Sequence, residues 1–154
     1  METSIHVEQL CKSYQGTQVV KNISFQVKKG EIFAFLGPNG AGKSTTISIL
    51  STLLKKDSGT VIINGCHLGQ EDERIRSGIG IVFQNSVLDD LLTVEQNLIL
   101  RSALYHLPFK QAYQRVQKLC EICSLHDIME QPVGTLSGGQ RRRCDIARAL
   151  IPEP

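Results

Sequence analysis

The chain has 154 residues, of which 41% are hydrophobic and 21% charged, the balance of one ordinary globular domain. A net charge of +2 is too small to make nucleic acid the expected partner, and no apolar run approaches the roughly 20 residues that a bilayer-spanning helix needs. Residues 1–10 lack the apolar core of a secretory signal, so a cytosolic location is expected.

Taken in chain order, the first third reads as strands: residues 4–10 alternate, and residues 18–27 are rich in Val, Ile and Phe. A turn at Lys28-Lys29-Gly30 leads to residues 31–36. Their Ile32-Phe33-Ala34-Phe35-Leu36 run has no polar alternation and predicts a strand buried on both faces, as at the centre of a parallel sheet. A glycine-rich loop follows, then a helix over residues 43–54. Residues 60–63 with Asn64-Gly65 predict a hairpin, and residues 79–83 predict another short buried strand ending at Gln84. Helical spacing then runs over residues 93–107 and 109–125, split at Pro108, with Thr93 and Gln96 placed for a capping box. Residues 132–136 read as a loop and Ser137 opens a last helix, broken by Pro152 and Pro154.

Of the five cysteines, Cys120 and Cys123 form a C-x-x-C. A redox pair or half a zinc site is one reading. The favoured one is two small apolar residues a helical turn apart on an inner face, because redox C-x-x-C pairs open helices and this one falls late in a helical pattern. Asp89 and Asp90 read as a turn before a helix rather than a metal site. Arg141, Arg142 and Arg143 read as a solvated helix face rather than a nucleic-acid contact.

The loop Gly37-Pro38-Asn39-Gly40-Ala41-Gly42-Lys43-Ser44 fits G-x-x-x-x-G-K-[ST], with a chance expectation of roughly 1 in 200 for this length. Its chemistry is anion capture. Glycines let successive amides point inward, a helix N-terminus adds about half a positive charge, and Lys43 adds a whole one for the β- and γ-phosphates. The Ser44 hydroxyl can hold Mg²⁺, and Thr45 can donate to the α-phosphate. In Leu136-Ser137-Gly138-Gly139-Gln140, Ser137 is a good N-cap, Gln140 stands at the reciprocal position, and the two glycines leave the helix mouth open as a second anion site.

Together, the two motifs resemble the phosphate loop (Walker A) and signature of ABC ATPases, and the likeness runs from about Ile5 to Pro154. The resemblance implies a P-loop α/β fold with an N-terminal antiparallel β part and an inserted helical subdomain. It divides the chain at about 1–88 (β-rich phosphate-loop core), 89–136 (helical subdomain) and 137–151 (signature helix). It implies ATP and Mg²⁺ as ligands, held by Tyr14 against adenine, by Gly37, Asn39, Gly40, Ala41, Gly42, Lys43, Ser44 and Thr45, and by Gln84 as the Q-loop residue, with Ser44 and Gln84 toward the metal. Bland alternatives are a core aromatic for Tyr14 and a polar strand end for Gln84. Ser137, Gly138, Gly139 and Gln140 would bind the nucleotide of a second cassette packed head to tail, so the resemblance implies a homodimer. Residues 88–98 look most like the exporter branch with a separate permease subunit, which implies a peripheral position on the cytoplasmic face of the membrane.

One departure from the family pattern stands out. The strand carrying the Walker B acids, the D-loop and the switch histidine are not in the sequence; His6, His67, His106 and His126 all lie upstream of that position. No catalytic residue is therefore assigned, the chain alone is expected to be inactive, and the strands ending at Leu36 and Gln84 are expected to have unpaired edges. A soluble ABC ATPase of translation or DNA repair, and a non-catalytic nucleotide-binding remnant, are the alternatives.

Overall fold

The computed structural model describes residues 2–105 and 107–154; His106, inside the helix expected over 93–107, lies outside them. The chain forms two compact units, residues 1–76 and 77–154.

The first unit is an antiparallel sheet in the order β2-β1-β3-β4, with β1 at Thr3–Tyr14, β2 at Thr17–Lys28, β3 at Ser58–Ile63 and β4 at Cys66–His67. Val61 and Ile63 of β3 are buried by simple alternation, whereas the odd spacings of Val7 and Leu10 in β1 and of Val20 and Val27 in β2, also buried, span irregular backbone at Gln9 (φ 49°) and Asn22 (φ 53°). Two-residue turns join the strands at Gln15-Gly16 (φ 47° and 81°) and at the expected Asn64-Gly65 (φ 48° and 78°), the positive-φ pairs that match strand twist. Helix α1, Lys43–Leu50, adds Ile49 and Leu50 to the core. It stops four residues earlier than expected, because Thr52 takes a left-handed φ of 62° and the amides of Leu53 and Leu54 both turn back to the Ser48 carbonyl. A short helix, α2 (Asp72–Ser77), was not signalled by its sequence.

The strand expected over residues 31–36 is not formed. The segment joins no ladder, and Ile32 and Leu36 are 98% and 91% exposed. It packs by one face only: Phe33 stacks on Phe25 of β2 at 5.1 Å, and Phe35 meets both rings edge-on at 5.0 and 5.2 Å. A continuous apolar run becomes a two-faced strand only where strands flank it, and among the described residues none does.

The second unit is helical: α3 (Val94–Ala103), α4 (Phe109–Ile122) and α5 (Gly138–Leu150), with 3-10 turns at His126–Ile128 and Val133–Thr135. Val94 and Leu98, Val116 and Leu119, and Cys144 and Ala147 bring one stripe of each helix into a single core. The capping box at Thr93 and Gln96 is present. Cys120 and Cys123 are free, buried, and part of this core, with the Cys120 thiol 3.4 Å from His126 Nδ1. Burial pushes both thiols up from their ordinary pKa. Among the described residues no group of three or more His, Cys, Asp or Glu is placed to hold a metal, and no helix is long and apolar enough to cross a membrane.

The strand expected over residues 79–83 is also absent as a ladder element. Arginines take the place of ladder partners: Arg148 donates to the Ile81 carbonyl at 2.8 Å and Arg142 to that of Phe83 at 2.6 Å. The basic run is thus only partly a solvated face, since Arg141 also pairs with Asp90 at 2.8 Å and donates to the Val133 carbonyl.

Candidate functional site

The residues singled out in the sequence fall into two groups, one in each unit. In the first unit, Gly37, Gly40 and Gly42 have φ of 150°, 83° and 82°, backbone that a side chain strains. Gly42 is required twice over, because a Cβ there would lie 2.6 Å from the Val19 carbonyl oxygen. The loop closes on itself through an Ala41 amide donating to the Pro38 carbonyl at 3.3 Å.

Gly42 is also the N-cap of α1. No side chain caps this helix and its first turn has no acid. Its terminal amides and dipole therefore face the loop without a built-in anion. The Lys43 ammonium lies over the same loop, donating to the carbonyls of Gly37 and Pro38 at 2.7 and 2.6 Å. Ser44 is exposed and Thr45 half-buried, while Thr46 is buried and spends its hydroxyl on the Gly42 carbonyl at 2.9 Å. A cavity of about 420 Å³ opens beside them, lined by Gly40, Ala41 and Lys43 together with Thr17, Gln18 and Val20 of β2.

The hairpin turn brings Tyr14 to this rim. It pairs with Thr17 in the ladder and remains 46% exposed, so it is a surface aromatic rather than a core one. A polyphosphate with a planar base fits this set: an uncapped helix mouth, left-handed glycines, one lysine, and an exposed ring on β1 that pairs in the ladder with Thr17 of the cavity lining.

The second unit carries Gln84 and residues 137–140. Ser137 Oγ accepts from the Gln140 amide at 3.3 Å and Gln140 Oε1 accepts from the Ser137 amide at 2.9 Å, the reciprocal box that the spacing predicted. Nothing lies within 4 Å of a Cβ built on Gly138 or Gly139, so the mouth of α5 is open to approach. Gln84 is exposed and follows directly on Phe83, whose carbonyl α5 holds through Arg142.

Sequence reasoning missed the polar pins around these groups. Asn97, 8% exposed, accepts from the Asp89 amide at 2.8 Å and donates to the carbonyls of Asp89, Leu92 and Thr93 at 3.0–3.3 Å. Asp57 receives Lys12 and the Ser13 amide at 2.6 and 2.7 Å, 45 and 44 residues away. The Asp57 contacts span a distance in sequence that carries no local signature, and those of Asn97 reach four to eight residues back into a turn whose path its spacing does not reveal.

The family model described as ABC transporter matches residues 20–154. The linearmycin resistance ATP-binding protein LnrL of Bacillus subtilis is 40% identical over 97% of this chain and 48% of its own length. The doxorubicin resistance ATP-binding protein DrrA of Mycobacterium tuberculosis is 40% identical over 99% and 47%, and the Nod factor export ATP-binding protein I of Ralstonia nicotianae 39% identical over 97% and 47%. Among solved structures, cbiO1 from Clostridium perfringens, part of the transporter complex cbiONQ, superposes with a TM-score of 0.89 at 31% identity, covering all of this chain and 63% of its own. The chain thus spans about half the length of the curated relatives it matches.

Proposed function

The chain belongs to the ABC transporter ATP-binding family, and from that membership we propose that it binds Mg·ATP as the nucleotide-binding part of an exporter. The observation that carries this reading is the phosphate cradle: Gly40 and Gly42 in left-handed backbone, opening on the uncapped mouth of α1 with Lys43 over it. In this reading Tyr14 stacks on the base. The amides of residues 39–45 receive the phosphates, Lys43 exchanges its two carbonyl partners for phosphate oxygens, and Ser44 would hold Mg²⁺; a part for Gln84 toward the metal is what the family resemblance implies. Such a metal would supply charge neutralisation for the phosphates.

At the second half-site the Gln140 amide is already committed to Ser137. The groups offered to another cassette's γ-phosphate are therefore the Gly138 and Gly139 amides and the hydroxyl proton of Ser137, whose oxygen already accepts from that amide. A head-to-tail pair of cassettes completes two such sites. The whole protein then couples ATP binding and hydrolysis to a permease at the cytoplasmic face of the membrane, with residues 1–88, 89–136 and 137–151 as phosphate-loop core, helical subdomain and signature helix. The relatives' names, drug resistance and Nod factor export, support export as the direction.

The test is calorimetric titration with Mg·ATP. Lys43→Ala is expected to weaken binding roughly 10- to 100-fold, the loss of charge-assisted hydrogen bonds to phosphate. Unchanged affinity in a folded variant would overturn the reading.

A further inference from the structure

We propose that Asp57 is a positioning residue for the nucleobase platform, acting through Lys12 on Tyr14. This rests on the reading of Tyr14 as the ring that stacks the base. Asp57 stands just before β3, yet both of its oxygens are spent on the end of β1: Oδ1 on the Lys12 ammonium at 2.6 Å and Oδ2 on the Ser13 amide at 2.7 Å. Its own amide donates to the Cys11 carbonyl at 3.1 Å, so three consecutive residues before Tyr14 are fixed by one. The Lys12 side chain is only 14% exposed, and its ammonium is held over the Tyr14 ring, 5.7 Å from the centroid. That is within cation–π range. One side of the ring is thereby taken by a charge that Asp57 keeps in place, and the ring, still 46% exposed, is left to receive a base on its other side. The hydrogen bonds from Lys12 and Ser13 also hold the Asp57 carboxyl below its ordinary pKa, so the clamp is charged at neutral pH.

The clamp touches no phosphate-loop residue, so its signature is selective. In the full chain, affinities for Mg·ATP and for inorganic tripolyphosphate are measured side by side. Asp57→Asn is expected to weaken ATP about threefold while leaving tripolyphosphate unchanged, Lys12→Met to do the same, and Asp57→Glu to recover part of the loss. Tripolyphosphate binding also reports that each variant retains a folded cradle. If Tyr14→Ala lowers the ratio of the two affinities and Asp57→Asn and Lys12→Met do not, the positioning role is refuted and the platform stands. If Tyr14→Ala leaves the ratio unchanged, the platform itself is wrong and the positioning role falls with it. An equal loss of both ligands in Asp57→Asn, with Lys12→Met silent, would make Asp57 a general support of the sheet and also overturn the proposal.

Discussion

Single side chains, and their absence, set the chemistry of the cradle. Gly42→Ala would combine a left-handed φ of 82° with a Cβ 2.6 Å from the Val19 carbonyl. Such strain costs about 1–3 kcal/mol, and the same movement displaces the amides at the mouth of α1; thermal unfolding should register the first effect and Mg·ATP titration the second. Cys144 belongs to the same scale. It is 1% exposed, and burial, reinforced by Asp145, pushes its thiol up to about 11. Since the folded state holds this proton more tightly than an unfolded chain with a pKa near 9, the associated stability is complete below pH 9 and is lost as pH rises towards 11. The melting temperature is expected to fall across that interval. Cys144→Ala should flatten the decline without removing it, because Cys120 and Cys123 are shifted in the same direction.

Among the elements, what the sequence makes legible is local. The glycine loop, the boxes at Thr93 and Ser137 and the Asn64-Gly65 turn are all settled within four residues, by φ or by a cap, and all of them form. What needs a neighbour is not legible. Residues 31–36 and 79–83 carry the apolar composition of central strands, but composition does not provide a ladder partner. Asn97 shows the same limit from the polar side: nothing in its sequence surroundings says that one amide will fasten the turn at residues 89–93 to the start of α3. Its removal takes the side-chain partner from the Asp89 amide and carbonyl, while the Leu92 and Thr93 carbonyls keep the amides of Val133 and Asn97, a loss of about 0.5–1.5 kcal/mol. Asn97→Ala should lower the melting temperature of the chain, whereas Asn97→Asp, which retains the acceptor for the Asp89 amide, should lower it by a different amount; equal melting temperatures for Asn97→Ala and the parent would remove Asn97 from this role.

At the scale of the whole molecule, two of the most exposed apolar side chains among the described residues lie in one segment that was expected to be a strand. Ile32 and Leu36 stand almost fully in solvent beside an unpaired backbone, the arrangement that recruits other chains edge to edge. Ile32→Lys is expected to leave the melt of this chain within about 0.5 kcal/mol and to reduce self-association by light scattering; an unchanged scattering profile would place the sticky surface elsewhere. The other unpaired stretch is managed differently. Its carbonyls at Ile81 and Phe83 are gripped by the guanidinium groups of Arg148 and Arg142, and Gly80 lies so close to Ala149 that a Cβ would sit 2.2 Å from its carbonyl oxygen. Helix and stretch are thus joined at three points, so a shift of α5 is expected to carry Phe83, and Gln84 next to it, in the same direction.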